Sequence, residues 1–153
     1  LKPNAISISA HQPGGALTGA PPDGRKGGEI LADASISPSH GKDLRGPLAV
    51  FQSAMRIQQD QYQGTLFNMK FHPSVLKTSA DLNKLAGLIR TYLTHGGKHI
   101  QFNVVDREEM LDAQVHPEEH PELTVRVAGY SAYFTRLPKS IQDEVIERTS
   151  QAL

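Results

Sequence analysis

The length, composition and charge of this chain exclude several classes of protein. Its 153 residues, 38% of them hydrophobic, suit one domain or one large lobe with its own core. Sixteen basic residues balance sixteen acidic ones, so no long-range field favours binding to nucleic acid or to an anionic membrane. The chain contains no cysteine, which excludes disulfides, thiolate metal sites and a thiol nucleophile or thiyl radical of its own.

The start of the chain and its hydropathy bear on its location in the cell and on whether it is part of a longer protein. No apolar run approaches the roughly 20 residues that span a bilayer, and the N-terminus lacks a charged start followed by an apolar signal segment. We therefore expect a cytoplasmic protein. Because the sequence begins with Leu1 rather than methionine, we also expect a fragment, a processed chain or part of a longer chain.

The first forty-five residues are expected to be mostly loop. Residues 11–29 (HQPGGALTGAPPDGRKGGE) contain six glycines, three prolines and few apolar residues. Only residues 5–10 (AISISA) alternate cleanly enough to predict a short strand. A helix is predicted from Pro47, because proline suits the first helical turn and apolar residues follow at helical spacing: Val50, Phe51, Ala54 and Ile57.

Two strands joined by a helix predict an α/β architecture. Residues 66–71 (LFNMKF) place Phe67, Met69 and Phe71 on one side, which predicts a strand with one buried face. Residues 98–106 (KHIQFNVVD) alternate in the same way and predict a second strand. Two strands with a helix between them most often lie parallel with a right-handed crossover.

Three further helices follow from capping signals and apolar spacing. Ser79 is the expected N-cap of the first, which stops at Gly96 and Gly97. Its apolar stripe should comprise Leu82, Leu85, Leu88, Ile89, Tyr92 and Leu93. Asp106 and Glu109 resemble a capping box at the start of the second. The third closes the chain, and its inward face should comprise Ile141, Val145 and Ile146.

Gly129 lies on a predicted turn just after a strand in residues 123–127 (LTVRV). The ordinary explanation for glycine there is a tight turn with a positive φ, which other residues adopt at a cost. Glycine also has a chemical property of its own. Loss of a hydrogen atom from its Cα leaves a radical that the amide nitrogen stabilises by donation and the carbonyl group by withdrawal. That radical must be planar at Cα, which a side chain would oppose.

The stretch RVAGYSAYF (residues 126–134) resembles the signature of the glycyl radical enzyme family, in which an Arg-Val pair, a small residue, the radical glycine and a tyrosine stand near the C-terminus. Five further stretches resemble blocks of the same family in the same order: PPDGRKGGEILADASISP, GPLAVFQSA, LFNMKFHPSVL, GGKHIQFNVVDREEMLDAQ and IQDEVIERT. The resemblance covers nearly the whole chain and implies that Gly129 carries the radical. The signature is more similar to the dehydratase, decarboxylase and carbon-addition branches than to pyruvate formate-lyase.

The resemblance also implies that this chain is the C-terminal portion of a ten-stranded β/α barrel. Residues 1–29 would end the pyruvate formate-lyase-like barrel domain, and residues 30–153 would form the glycine radical domain. In the family, a radical S-adenosylmethionine activase with an iron–sulfur cluster removes a hydrogen atom from the glycine. The radical then passes to a cysteine on another loop, and the thiyl radical attacks a small-molecule substrate. No bound cofactor is implied, the full enzyme is expected to be a homodimer, and oxygen should cleave the backbone at the radical.

Three hypotheses about the chain stay open. Two of them follow from the family resemblance, and the third is an ordinary structural α/β domain. The first is a fragment or one piece of a split enzyme, which stores the radical for a cysteine on an upstream segment or chain and serves lyase, dehydratase or decarboxylase chemistry. The second is a stand-alone spare part that docks onto an oxygen-damaged partner enzyme and replaces its broken terminus. Without a cysteine the chain is not expected to turn over substrate alone.

Four other residues are assigned roles by the resemblance. Arg126 and Tyr130 flank Gly129 and would hold its loop in the barrel. Ile6 and Ile8 would lie on the wall of the substrate cavity, the alternative being that they only pack the barrel.

Other apparent sites are expected to be structural. HPEEH gives His116 and His120 a helical ligand spacing, but Pro117 and the position of the glutamates do not match the zinc-protease pattern, so a surface loop without metal is expected. GGALTG lacks the strand and lysine of a phosphate-binding loop, and PDGRKGG predicts a turn that fixes Arg25. Three more histidines are expected to be structural rather than acids or bases: His72, His95 and His99.

Overall fold

The computed structural model describes residues 1–6, 10–148 and 150–152. Within these residues the chain forms α1 (His11–Ala16), α2 (Pro47–Met55), β1 (Asn68–Phe71), α3 (Ser79–Thr94), β2 (Gln101–Val104), α4 (Arg107–Val115), β3 (Thr124–Arg126), β4 (Ser131–Tyr133), α5 (Lys139–Glu147) and β5 (Ser150–Gln151). Single turns of 3-10 helix lie at Gln59–Gln61, Pro73–Leu76 and Phe134–Arg136. None of the described helices is long and apolar enough to cross a membrane.

Three parallel strands form the larger sheet, in the order β2-β1-β5. In the β1–β2 pair, Asn68 lies opposite Gln101. The predicted parallel pair of strands around a helix is therefore confirmed. The other edge of β1 pairs with β5, where Lys70 lies opposite Ser150. The sequence predicted helix to the end of the chain, but the backbone becomes extended at Arg148 (ψ 135°) and adds this strand to the free edge of β1.

The apolar side chains gather in two main clusters. One packs α2 and α3 against β1 and contains Val50, Phe51, Ala54, Phe67, Met69, Phe71 and Tyr92. The other packs α4 and α5 against β3 and contains Val105, Met110, Ala113, Val125, Val127, Phe134, Val145 and Ile146. The partly buried Ile141 packs against this second cluster, so the predicted inward face of α5 is confirmed.

The helix starts follow the capping rules, with one residue reassigned. α2 begins at Pro47 as predicted, after Gly46 at φ 81°. The N-cap of α3 is Thr78 rather than Ser79. The Thr78 hydroxyl accepts from the backbone N–H of Asp81 at 3.1 Å, and the Asp81 carboxylate accepts from the N–H of Thr78 at 3.2 Å. Asp81 stands three residues after Thr78, the spacing that this reciprocal box requires.

The other boundaries of α3 and α4 agree with the sequence in part. α3 ends before Gly96, at φ 90°, as predicted. Its apolar stripe is narrower than expected, because Leu82 and Leu93 are 53% and 46% exposed on a helix that packs on one side only. Asp106 caps α4, but its carboxylate accepts from the N–H of Glu108 at 2.8 Å, one residue before the predicted Glu109.

Both faces of β1 are buried, so the predicted single buried face is wrong. The apolar face lies under α2 and α3. The opposite face carries Asn68 and Lys70, which are only 6% and 2% exposed. Asn68 donates to the carbonyl of Val127 and Lys70 to that of Ile146, so the segments around β3 and α5 cover this face. Parallel strands are commonly covered on both sides.

The described part of the N-terminal segment has one β-bridge in the predicted strand and a helix in the predicted loop. Ala5 makes a parallel bridge with Thr65, but residues 7–9 of the predicted strand, including Ile8, lie outside the described residues. α1 forms in a stretch predicted to be loop. The predicted turn that fixes Arg25 is confirmed, because its guanidinium donates to the carbonyls of Gly19 and Glu29 at 2.6 and 2.7 Å.

Candidate functional site

Gly129 lies in the turn of the antiparallel hairpin formed by β3 and β4. Arg126 faces Ser131 across the last pair of the ladder, and the N–H of Val127 donates to the carbonyl of Tyr130 at 3.0 Å. Gly129 has a φ of 78°, so the predicted positive φ is confirmed. A Cβ there would meet Leu66 at 3.5 Å, an ordinary contact. Backbone conformation rather than lack of space therefore favours glycine at this position.

The turn is buried on one side of Gly129 and open on the other. Val127 and Ala128 are fully buried. Gly129 is exposed in the described chain, and the side chain of Tyr130 is 40% exposed. The residues before the glycine thus anchor the hairpin. The Cα of Gly129 lies at the surface of the described part of the chain.

Side chains from the parallel sheet hold the backbone just before the glycine. The amide of Asn103 accepts from the N–H of Arg126 and donates to its carbonyl, both at 2.6 Å. Asn68 donates to the carbonyl of Val127 at 3.2 Å. Arg148 also donates to the carbonyl of Arg126, at 3.2 Å. Residues of β1, β2 and the segment after α5 therefore converge on one stretch of backbone.

The guanidinium of Arg126 joins the sheet to both arms of the hairpin. Its Nε donates to Oε1 of Gln101 at 2.6 Å, and Nη1 donates to Oγ of Ser131 at 3.1 Å. Nη2 lies 3.5 Å from the carbonyl oxygen of Gly129. Sequence reasoning singled out Arg126 and Tyr130 beside the glycine. The structure places Arg126 against the glycine carbonyl and leaves Tyr130 at the surface.

A buried ion-pair network lies beneath this hairpin. Arg148 donates from Nε and Nη2 to the two carboxylate oxygens of Glu144, each at 2.8 Å, and lies 3.4 Å from Asp33. His11 of α1 approaches Glu144 at 3.7 Å. Burial alone would raise the pKa of Glu144, but hydrogen bonds with His11 and Arg148 and their charges lower it to about 2. Asn68 donates to Asp33 at 2.6 Å and so links the network to the hairpin.

Lys70 is a buried cation at the end of α5. Its ammonium group donates to the carbonyls of Ile146 and Val145 at 2.9 and 3.4 Å, where a helix presents unpaired carbonyls. Burial, and then the charge of Arg148, lowers the pKa of Lys70 to about 8. Lys70 therefore ties β1 to the last turn of α5.

The two histidines of the HPEEH loop have different carboxylate partners. His116 lies with Glu118 and Glu119, all three exposed, with ligand atoms within 4.8 Å of one another. His120 instead pairs with Asp112 at 2.7 Å, so the predicted HPEEH loop does not bring its two histidines to one centre.

Three further histidines, which were expected to be structural, make the following contacts. His72 lies 3.1 Å from Asp106, His95 lies 2.8 Å from the carbonyl of Thr91, and His99 accepts from the N–H of Phe67 at 3.4 Å. Burial, and then the charge of Arg126, lowers the pKa of His99.

Comparison with known proteins identifies the family. A family model described as "Glycine radical" matches residues 32–135, more than half of the chain. The 4-hydroxyphenylacetate decarboxylase glycyl radical subunit of Clostridioides difficile is 47% identical over 149 residues, which cover 97% of this chain and 16% of that protein. Indoleacetate decarboxylase of Tractidigestivibacter scatoligenes is 46% identical over 145 residues, which cover 95% of this chain and 16% of that protein.

Solved structures agree with these relatives. The B12-independent glycerol dehydratase of Clostridium butyricum superposes with a TM-score of 0.94 at 47% identity, over 99% of this chain and 19% of that one. The chain therefore belongs to the glycine radical family, as the sequence resemblance predicted. Its α/β fold is that of the C-terminal portion of a glycyl radical enzyme barrel, although the described residues form three parallel strands rather than a full ten-stranded barrel. It spans about a sixth of the length of the curated relatives it matches.

Proposed function

We propose that this chain carries the stored radical of a glycyl radical enzyme on Gly129, for decarboxylase or dehydratase chemistry. The observation that carries the proposal is the position of Gly129 in a chain of this family. It lies at the tip of a hairpin, with a positive φ, an open Cα and buried, hydrogen-bonded residues directly before it. Such a site combines a backbone conformation that favours glycine with a backbone that is held in place on one side.

The chemistry assigns separate steps to this chain and to its partners. A radical S-adenosylmethionine activase with an iron–sulfur cluster would remove one hydrogen atom from the Cα of Gly129. A cysteine thiol on an upstream barrel segment or chain would later return a hydrogen atom to Cα and become the thiyl radical that attacks a small-molecule substrate. This chain contains no cysteine, so the second step needs that other segment.

The residues around Gly129 would stabilise the radical and hold its loop. The neighbouring peptide groups share the unpaired electron, and Arg126 lies against the carbonyl of Gly129. Tyr130 would contribute to the loop's packing inside the barrel. Ile6 is 40% exposed and stays a candidate for the wall of the substrate cavity together with Ile8, which lies outside the described residues.

We also propose a domain division and an assembly for the whole protein. We assign residues 1–29 to the end of the barrel domain and residues 30–153 to the glycine radical domain. The match of the family model to residues 32–135 supports this division. The full enzyme would be a cytoplasmic homodimer that works anaerobically and binds no further cofactor.

Electron paramagnetic resonance tests the assignment of the radical. The chain would be incubated without oxygen with S-adenosylmethionine and the activase of a relative such as the C. difficile decarboxylase. We expect a doublet from coupling to the one hydrogen left on Cα, which should collapse to a single line when the protein contains glycine deuterated at Cα. Air should then cut the backbone at Gly129, as mass spectrometry would show.

A matched pair of variants provides the control. Gly129→Ala should abolish the doublet. Gly96→Ala should keep it, although Gly96 also has a positive φ, of 90°, with open space around its Cα. A doublet that survives in Gly129→Ala contradicts the assignment. A signal that requires an added upstream barrel segment would favour a piece of a larger enzyme, whereas a signal from the chain alone would favour the spare-part alternative.

A further inference from the structure

The side chain of Asn103 takes the place of a strand partner for the hairpin. It is 5% exposed, and it accepts from the N–H and donates to the carbonyl of Arg126 at 2.6 Å each. This is the pattern of two bonds that a hydrogen-bonded residue pair makes across an antiparallel sheet. A planar amide that makes both bonds fixes the orientation of the two peptide groups of Arg126, three residues before Gly129.

Gln101, two residues earlier on the same face of β2, fixes the side chain of Arg126. It is 8% exposed, and its Oε1 accepts from Nε of Arg126 at 2.6 Å. Its Nε2 donates to Oδ1 of Asn68, so the amide oxygen is the atom left to face Arg126. With Nε held, the rigid guanidinium presents Nη1 to Ser131 and Nη2 to the carbonyl of Gly129.

The position of that guanidinium has a chemical consequence. One resonance form of a glycyl radical places negative charge on the carbonyl oxygen of the glycine and positive charge on its nitrogen. A cationic donor beside the oxygen stabilises this form, because hydrogen bonds to charged groups are stronger than neutral ones. Orientation of Arg126 therefore bears on the stability of the radical as well as on the fold.

We propose, on the basis of the proposed function, that Asn103 and Gln101 are positioning residues for the radical at Gly129. Asn103 holds the backbone of Arg126 against the sheet. Gln101 aims the Arg126 guanidinium at the carbonyl of the glycine. Neither residue touches the reacting Cα, and both act through Arg126.

The Asn103 part is tested by amide hydrogen exchange and needs no radical. Loss of one hydrogen bond should speed local opening of residues 124–134 about fivefold, and loss of two about 25-fold. Asn103→Leu removes both bonds and should show the 25-fold change, and Asn103→Asp, which places a carboxylate oxygen against the carbonyl of Arg126, should show at least as large a change. Asn83→Asp, on the exposed side of α3, is the control and should leave the hairpin unchanged. Exchange that is unchanged in Asn103→Leu, or that rises equally in all peptides, overturns this part.

The Gln101 part is tested by the spectrum and lifetime of the radical. Gln101→Met replaces the amide with an apolar side chain of similar size and removes the oxygen that accepts from Arg126. The anaerobic decay of the doublet should then be about fivefold faster, and its hyperfine splitting should change. Gln101→Glu loses the donor to Asn68 but keeps an oxygen opposite Nε of Arg126, so it should restore both the decay rate and the splitting. Equal decay and splitting in wild type and Gln101→Met overturn this part. If wild type forms no radical even with the upstream barrel segment added, the proposed function fails, and the exchange experiment still decides the role of Asn103.

Discussion

Replacing Glu144 with glutamine should remove one large, pH-dependent contribution to stability. Glu144 is 4% exposed and makes two 2.8 Å hydrogen bonds with Arg148. Its pKa falls from the usual 4.5 to about 2 in the folded chain, because the hydrogen bonds and charges of His11 and Arg148 outweigh burial. The gap of about 2.5 pH units corresponds to about 3 kcal/mol of stability.

The direction of the pKa shift determines how the contribution of Glu144 to stability depends on pH. The folded pKa lies below the unfolded one, so the contribution is fully present above pH 4.5 and is lost as the pH falls towards 2. At neutral pH, Glu144→Gln should lower the free energy of unfolding by about 3–5 kcal/mol, because the buried Arg148 loses its two-bond carboxylate partner and keeps only Asp33 at 3.4 Å. Protonated glutamate resembles glutamine, so the difference between the two proteins should shrink by about 3 kcal/mol near pH 2.

Urea unfolding between pH 2 and 7 measures this difference. Other carboxylates titrate in both proteins, so subtraction isolates Glu144. Glu147→Gln, an exposed change on the same helix, should stay within about 0.5 kcal/mol of wild type. Parallel pH profiles for wild type and Glu144→Gln would refute the argument.

Two further changes test other buried contacts. The pKa of Lys70 is lowered from 10.5 to about 8, so the folded chain releases this proton at a lower pH than the unfolded chain does. The free energy of unfolding of wild type, measured with urea, should therefore rise relative to that of Lys70→Met by up to about 3 kcal/mol between pH 8 and 10.5. A constant difference across that range would contradict the shift. A Cβ at Gly97 would overlap the ring of the buried Tyr92, so Gly97→Ala should cost about 1–3 kcal/mol. Gly87→Ala, in the middle of α3 with open space at its Cα, should instead stabilise by about 0.5–1 kcal/mol. Thermal unfolding compares the two glycine variants, and an equal effect of both would be inconsistent with the contact.

The sequence predicted the features that depend on nearby residues. Pro47 as a helix start, the parallel strand pair and the turn at Gly129 all follow from local spacing, and the structure has them. The choice of Ser79 over Thr78 was wrong by one residue, because both can cap a helix and only the position of Asp81 separates them.

The polar residues that hold the hairpin could not be predicted in this way. Alternation shows that a strand has two faces, but it does not show which faces other segments cover. Asn68 and Asn103 are covered by the segment around Arg126, to which they donate hydrogen bonds. That segment lies far along the chain, so nearby residues do not indicate that the two side chains are buried. Only the family resemblance, and not the spacing of residues, pointed to Gly129 as a chemical site.

The place of Gly129 between two paired strands also determines what backbone cleavage would do. A cut in that turn separates β3 from β4 along the chain but leaves their ladder, the packing of α5 and the pairing of β5 intact. The nicked molecule would then be a non-covalent complex of a long and a short peptide. It should keep its native mass and elution volume and fall into two pieces only when denatured. Damage of this kind would be invisible to most assays of folding, and the short peptide, held without a covalent bond, would be exchangeable for an intact one.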